Sequence, residues 1–530
     1  MDTIMKMLFG RTIDFIKQHR RVDMMALFLG LAVFLFIAFS NVSNASIWFD
    51  EAFGAYLIQF SFVEIAQFTA ADVHPPVYYW LLKVWSMVFG TTELALRSMS
   101  IFFGGLAIIG GFFMTRKFFG RSAAWVSLLF LVLSPTLIRY SDEARMYTLA
   151  CVIVMAAAWV LTKAMASRRK VWWIAYGLLV SLGMWTHYFT AVAWLAHWLW
   201  RALTMRRYPT KEARRKAFFS KNWVMSHAIA VGLFLPWVPA FVIQTGTVQA
   251  GFWIGPVGAG TPGDYLANYF FYLNQSQALS WWGAAFWTVL VISMISVPKV
   301  IKRLSAAERK NYLLVTFLAW ASPLILFVLS LPPLRPVFVE RYLIPAIVFS
   351  SIFFAVTLVV GTRTWRLRWR AVPIALVSIM MIFGISNVVY YGNFNKNSLT
   401  NIKVRQVVEQ IHSQAEPGTP IIATTPWVFY EATFYSTDDY PVYFIDATTS
   451  YEYGSLNMLR DRDFNKIKDI DAFTKEHPVF WYIGGTEDST IAPHDPSWQP
   501  LRTVSTYDEI MKKSIYKATE FKRLDSSGVE

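Results

Sequence analysis

Apolar residues run along this chain in blocks rather than with a period. Blocks at 24–40, 98–115, 122–138, 147–165, 171–186, 188–203, 222–243, 281–298, 311–331, 342–360 and 371–391 are nearly free of charge. Most approach the ~20 residues that span a hydrocarbon core, so each is expected to be a transmembrane helix. One shorter block, VYYWLLKVWSMVFG (77–90), would invert the charge of every later loop if it crossed. It is expected to lie in the interface, anchored by Tyr78, Tyr79, Trp80 and Trp85, with FSFVEIAQFTA (60–70) as a second such helix. Beyond the last block, a polar tail of about 140 residues alternates helix-like KVRQVVEQIHSQ with β-like PIIATT, YPVYFI and HPVFWYIGG. The pattern predicts a mainly α, polytopic bundle of about 11 spans, followed by a small C-terminal α/β domain. Three regions follow: a basic amphipathic N-terminus (1–23), the transmembrane unit (24–391, first outer loop 41–97) and the α/β domain (392–530).

Composition agrees. The chain has 530 residues, 55% hydrophobic and only 16% charged, against roughly a quarter charged in soluble domains. Its net charge of +15 would suit nucleic acid, but the charge sits in RKFFGR (116–121), SRRK (167–170), RALTMRRYPTKEARRK (201–216), KVIKRLSAAERK (299–310) and RTWRLRWR (363–370). Every second loop is basic, as the positive-inside rule requires of the cytoplasmic face. The charge is therefore topological, and no nucleic-acid partner is expected. The expected location is a cell membrane, multi-pass, with a cytoplasmic N-terminus and an extracytoplasmic C-terminal domain; the first block reads as a retained signal-anchor. The single cysteine, Cys151, lies in an apolar block and excludes a disulfide within the chain.

Ionisable groups at a membrane boundary are costly and default to functional candidates. Four clusters fall on the outer side. In WFDEAFGAYL, Asp50 and Glu51 are either solvated loop charges or a general base and its neighbour. In DVHPPVYYW, Pro75–Pro76 forces a turn bearing Asp72 and His74; the histidine is incidental to the turn or meets a phosphate. In IRYSDEARMY, helical spacing would set Arg139, Glu143 and Tyr147 on one face, with Asp142 and Arg145 three apart. These are local ion pairs or a substrate site. In VFVERYLIPA, Arg341 opens a span; it anchors headgroups or grips a lipid phosphate through its planar fork. His187, in Thr186–His187–Tyr188, adds a polar contact on the same face. No metal-ligand spacing occurs, and a divalent metal stays open.

Together these stretches resemble the GT-C glycosyltransferases, in the branch of protein O-mannosyltransferases and aminoarabinose-to-lipid-A transferases (family 39-like). The resemblance is carried by WFDEAF, HPPVYYWLLKVW, RSMSIFFGGLAIIGGFFMTRKFFGR, SPTLIRYSDEARMYTL and ERYLIPA. It covers roughly residues 24–360 and is most specific over 48–150. It implies a polyprenyl- or dolichyl-phosphate sugar donor rather than a nucleotide sugar. It also implies Asp50 as the catalytic carboxylate, Asp142 and Glu143 as the second acidic motif, and Arg341 on the lipid phosphate. His74 occupies the position where protein mannosyltransferases carry histidine and aminoarabinose transferases lysine. The tail lacks the β-hairpin repeats of the eukaryotic sugar-binding insert, which weighs against a protein acceptor.

The expected function is transfer of a sugar from a polyprenyl-phosphate donor to an acceptor hydroxyl on a cell-envelope glycan, lipid or protein. Asp50 and Glu51 are the catalytic candidates. Arg341, His74 and Arg139 would hold the donor phosphate, and Asp142, Glu143, Arg145, Tyr147 and His187 would position donor or acceptor. Single displacement predicts inversion, since a retaining route needs a second nucleophilic carboxylate. The competing class is a transporter or flippase of a lipid-linked saccharide; a scaffold displaying the tail leaves the charge clusters unexplained.

Overall fold

A computed structural model describes residues 2–43, 45–167, 169–250, 254–273, 275–390, 404–445, 458–459, 465–485, 497–508 and 513–524. Eight helices among them are long and apolar enough to cross a bilayer: Arg21–Ser40, Glu93–Phe119, Tyr147–Ala166, Lys221–Val248, Trp282–Arg303, Ala306–Leu329, Glu340–Gly361 and Leu367–Val389. The chain is a multi-pass membrane protein. The block expected as one straight span at 122–138 is instead a pair, Arg121–Val132 and Pro135–Ser141, bent by 54°. Pro135 cannot continue the first helix, and Ser134 Oγ starts the second by accepting the Leu137 N–H at 3.3 Å. Two further blocks form helices Lys170–Thr186 and Thr190–Met205, of 17 and 16 residues. Length and composition thus support eight spans, or nine with the bent pair, where about 11 were expected.

The Ile344–Gly361 helix is the centre of the bundle, buried along most of its length. Two of its polar side chains are paired across helices: Ser351 with Tyr269 at 3.1 Å and Thr357 with Tyr312 at 2.7 Å. Peripheral helices instead expose Phe28, Phe36, Val231 and Ile243, the surface a lipid solvent permits. Glycine sets one approach that matters for the site. A Cβ at Gly104 would clash with Ser141 Oγ, so Gly104 lets the Glu93–Phe119 helix close on the Pro135–Ser141 turn.

The segment between the first two spans holds three helices, Phe49–Leu57, Phe62–Ala70 and Val77–Phe89. The last two are helices where helices were expected, at 60–70 and 77–90. Ser61 and Glu64 cap the second reciprocally, at 2.9 and 3.3 Å. Trp80 Nε1 donates to Phe62 O at 2.9 Å, while Val63, Met87 and Val88 remain exposed. The first, Phe49–Leu57, is buried nearly throughout and sits inside the protein.

The C-terminal unit is built on six strands: β1 (Ile421–Ala423), β2 (Val442–Ile445), β3 (Lys466–Ile467), β4 (Val479–Gly485), β5 (Trp498–Asp508) and β6 (Lys513–Arg523). Their order is β3-β2-β1-β4-β6-β5. β3, β2, β1 and β4 are parallel, while β6 joins β4, and β5 joins β6, antiparallel. Helices Val404–Gln414 and Pro426–Tyr435 cover one face; Ile470–Glu476 packs with Ile422, Phe480 and Phe521 on the other. Every residue of β1 is buried, as a central parallel strand covered on both faces should be.

Candidate active site

Asp50 and Glu51 are neighbours in sequence and opposites in environment. Glu51 is fully buried. Its Oε1 accepts from Arg97 Nε at 2.8 Å and from the Ala144 N–H at 2.8 Å, and its Oε2 from Arg97 Nη2 at 2.6 Å. Arg97 spends its other N–H groups on the carbonyls of Val42, Ala45 and Ser46, at 2.6, 2.9 and 3.1 Å. One bidentate pair therefore ties the segment after the first span, the Asp50 helix and the 142–146 turn together. Arg97 was not a candidate from sequence; its only signal was a lone arginine opening an apolar helix.

Asp50 keeps 19% of its side chain exposed amid buried cations. Its Oδ2 lies 3.3 Å from Arg341 Nη1 and 3.8 Å from Arg145 Nη2. Arg341 stands on the turn Glu340–Leu343 that opens the central helix, between the rings of Trp48 and Tyr147 at 5.8 and 5.9 Å. Trp48 Nε1 and Tyr147 Oη are buried there with no hydrogen-bond partner among the described residues.

Arg145 links this pair to the His-Pro-Pro turn. Its Nη1 donates to Asp50 O at 3.2 Å and Tyr79 Oη at 3.0 Å, and Nη2 meets His74 Nε2 at 3.2 Å. A guanidinium can only donate, so Nε2 accepts and the imidazole carries its proton on Nδ1. That nitrogen faces Asp72 Oδ2 at 3.2 Å. Burial pulls His74 below the ordinary histidine range, consistent with the neutral ring. His187 lies 6.4 Å from His74, ring to ring, and 5.0 Å from Tyr342. Burial, helped by the nearby His74, Arg145 and Arg341, holds it well below the usual value.

The helical spacing expected over 138–147 holds in part. Arg139 Nη1 meets Glu143 Oε2 at 2.8 Å. The helix, however, ends at Ser141, and a new one begins at Tyr147, so Tyr147 does not continue the Arg139 face. The intervening turn is held by Glu51 on the Ala144 N–H and by Ser100 Oγ on Arg145 O at 3.1 Å. Asp142 is buried within that turn, and the Arg139–Glu143 pair is buried alongside it. Burial raises Glu143 above the usual carboxylate range against the pull of Arg139 and Arg341.

A largely apolar cavity of about 290 Å³ opens beside the charges, lined by His74, His187, Tyr188, Val192, Leu195, Gln244 and Tyr342 among others. Among the described residues, no three His, Cys, Asp or Glu side chains converge as a metal site.

The bundle shares the fold of solved GT-C glycosyltransferases. ArnT from Cupriavidus metallidurans in the apo state superposes with a TM-score of 0.59 at 14% identity, covering 92% of this chain and 97% of that one. The same protein bound to undecaprenyl phosphate gives 0.57 over the same shares at 14% identity. The apo oligosaccharyltransferase of Archaeoglobus fulgidus gives 0.50 at 13% identity, covering 88% of this chain and 70% of that one. Residues 73–239 match the sequence model of the dolichyl-phosphate-mannose-protein mannosyltransferase family. No curated protein sequence matches the chain.

Proposed function

We propose that this protein is an integral-membrane glycosyltransferase that moves a sugar from a polyprenyl-phosphate donor to an acceptor hydroxyl at the extracytoplasmic face. The single observation that carries the reading is Asp50. It is the accessible carboxylate of the cluster, held by two arginines beside an apolar cavity.

The chemistry follows from those charges. The donor phosphate competes with Asp50 for Arg341 and Arg145 and is held by their donors. Buried, unpaired donors on Trp48 and Tyr147 suit the same oxygens. Asp50, released from the arginines, takes the proton from the acceptor hydroxyl. That oxygen bonds to the anomeric carbon as the bond from that carbon to the phosphate oxygen breaks. The electron pair leaves with the polyprenyl phosphate, whose charge the arginines stabilise. One displacement inverts the anomeric centre. Glu51 supports rather than reacts, because both its oxygens are occupied by Arg97 and Ala144. Arg139 pairs with Glu143 and supports the turn from behind.

The cavity suits the first isoprene units of the lipid. ArnT, which shares the fold, has been obtained with undecaprenyl phosphate, which supports the donor class. The test is purified protein in lipid nanodiscs, supplied with polyprenyl-phosphate hexoses and pentoses and assayed for transfer. Asp50→Asn should lose turnover while still binding polyprenyl phosphate. Normal transfer by Asp50→Asn would defeat the assignment, and normal lipid movement without any transfer would favour a flippase.

A further inference from the structure

The described residues between the Asp2–Asn41 helix and the Phe49–Leu57 helix, which carries Asp50, lie in no helix or strand. Their backbone polar groups therefore need partners from elsewhere. On one side the partner is Arg97, which donates to the carbonyls of Val42, Ala45 and Ser46. On the other side the partners belong to the C-terminal domain. Arg405, in the Val404–Gln414 helix, donates from Nη2 to Ser43 O at 3.0 Å and from its backbone N–H to Ser46 Oγ at 3.3 Å. Ser46 Oγ donates in turn to Gln406 Oε1 at 3.3 Å. Tyr435, at the end of the Pro426–Tyr435 helix, accepts the Ile47 N–H on its Oη at 2.5 Å.

Glu93 joins the two sides. It opens the helix that carries Arg97 one turn further on, and it is 8% exposed. Its Oε1 accepts the Tyr435 O–H, and the Ile47 N–H at 3.3 Å, while its Oε2 pairs with Arg405 Nη1 at 3.2 Å. An acid in a first turn suits the helix dipole, but an exposed one would serve that purpose. Thr92 already caps the helix, its Oγ1 accepting the Ala95 N–H at 3.2 Å. A buried carboxylate costs free energy unless hydrogen-bonded, and this one is directed at the linker amide and at two side chains of the domain. The Tyr435 helix is itself fixed to the sheet. Its Glu431, 3% exposed, accepts from Tyr516 Oη of β6 at 3.0 Å.

We propose that Glu93, Tyr435 and Arg405 are positioning residues, a junction through which the docked C-terminal domain holds residues 43–47 and sets Asp50 against Arg341. The inference rests on Asp50 being the base. The held segment leads directly into Trp48, whose ring lies 5.8 Å from the Arg341 guanidinium, and Asp50 follows two residues later. Misplacement of a reacting group by about 1 Å can cost on the order of 100-fold in rate. Arg97 holds the same segment from the bundle side, so removing one contact of the domain shifts the segment without releasing it.

The experiment uses the full chain in nanodiscs and compares Tyr435→Phe, Arg405→Met and Arg405→Lys by transfer kinetics and hydrogen–deuterium exchange. Tyr435→Phe and Arg405→Met should each lower kcat about 10-fold with donor KM within twofold. Both should speed amide exchange over residues 45–52 and leave exchange over β4 unchanged. Arg405→Lys keeps a cation on Glu93 and should regain most of the lost kcat. If Arg405→Met is not monodisperse, Glu93→Gln replaces it and should lower kcat and speed exchange in the same way. Normal kcat in Tyr435→Phe and Arg405→Met overturns the junction. So does faster exchange in β4 together with 45–52, which would make these contacts a support for the domain's own fold. Lysine no better than methionine at position 405 overturns the pairing with Glu93. If Asp50→Asn transfers sugar normally, or the unmodified protein transfers none, the reading of Asp50 as base falls instead, and exchange at 45–52 still decides the junction.

Discussion

Asp50 and Arg341 stand 291 residues apart in the chain and meet at 3.3 Å, where the loop after the first span packs against the start of the central helix. Each explains the other's location: the cation offsets the cost of holding a carboxylate among buried groups, and the carboxylate holds the cation ready for an anion.

If Asp50 is the base, Asn in its place removes proton acceptance but keeps the shape. The expected loss in kcat is about 10²- to 10⁴-fold, the usual contribution of general base catalysis. Polyprenyl-phosphate binding, measured by thermal shift, should persist or tighten, since Arg341 no longer has a competitor.

Arg341→Lys keeps the charge and loses the fork. Donor KM should rise by about 10-fold or more, and Arg341→Ala should lose far more, with transfer kinetics as the readout. Equal effects of the two substitutions would show that charge at that point is irrelevant.

Glu51 and Arg97 form a buried pair whose loss leaves a charge without its partner. Glu51→Gln or Arg97→Met should destabilise by about 3–5 kcal/mol, seen as a lower melting temperature in detergent. The double variant Glu51→Leu/Arg97→Met should recover part of that loss. Equal or greater loss in the double variant would count against pairing as the cause.

Glu431 gives a pH signature. Burial pushes its carboxyl up to about 8 from an ordinary value of 4.5. The folded chain then holds a proton that the unfolded chain releases between those values. Its stabilising contribution is complete below about 4.5 and is lost as pH rises through about 8. Melting temperature should fall over that window more steeply in the native protein than in Glu431→Gln, and run parallel above it.

The cavity beside His187 should discriminate lipid length. Val192→Trp fills part of its roughly 290 Å³. KM for long polyprenyl donors should rise several-fold, while a short-chain water-soluble donor is used almost as before. A uniform change for both donors would place the lipid elsewhere.

Hydrophobic blocks and loop charge carried much of the architecture, because lipid demands long apolar helices whatever they pack against. The helices near 62–89 and several strands of the C-terminal unit were legible for similar reasons, in a short apolar run and in β-like segments. The β5–β6 hairpin was not, since TVSTYD and SIYKATEF carry no run of apolar residues and read as polar chain. Arg121–Val132 and Pro135–Ser141 looked like one span because hydropathy does not register the break that Pro135 imposes.

The sequence by itself determined that acids and arginines gather on one boundary, and a short motif order singled out Asp50 among them. Only the tertiary structure separated Asp50 from Glu51. Identical charge at adjacent positions says nothing about which side chain turns inward to a bidentate Arg97 and which stays accessible beside Arg341. It likewise took the folded chain to bring Tyr435 Oη to the Ile47 amide at 2.5 Å, because a partner supplied from 388 residues away leaves no local pattern to read. Local periodicity encodes elements; partners between distant elements are set by packing, and the chemistry proposed here depends on those partners.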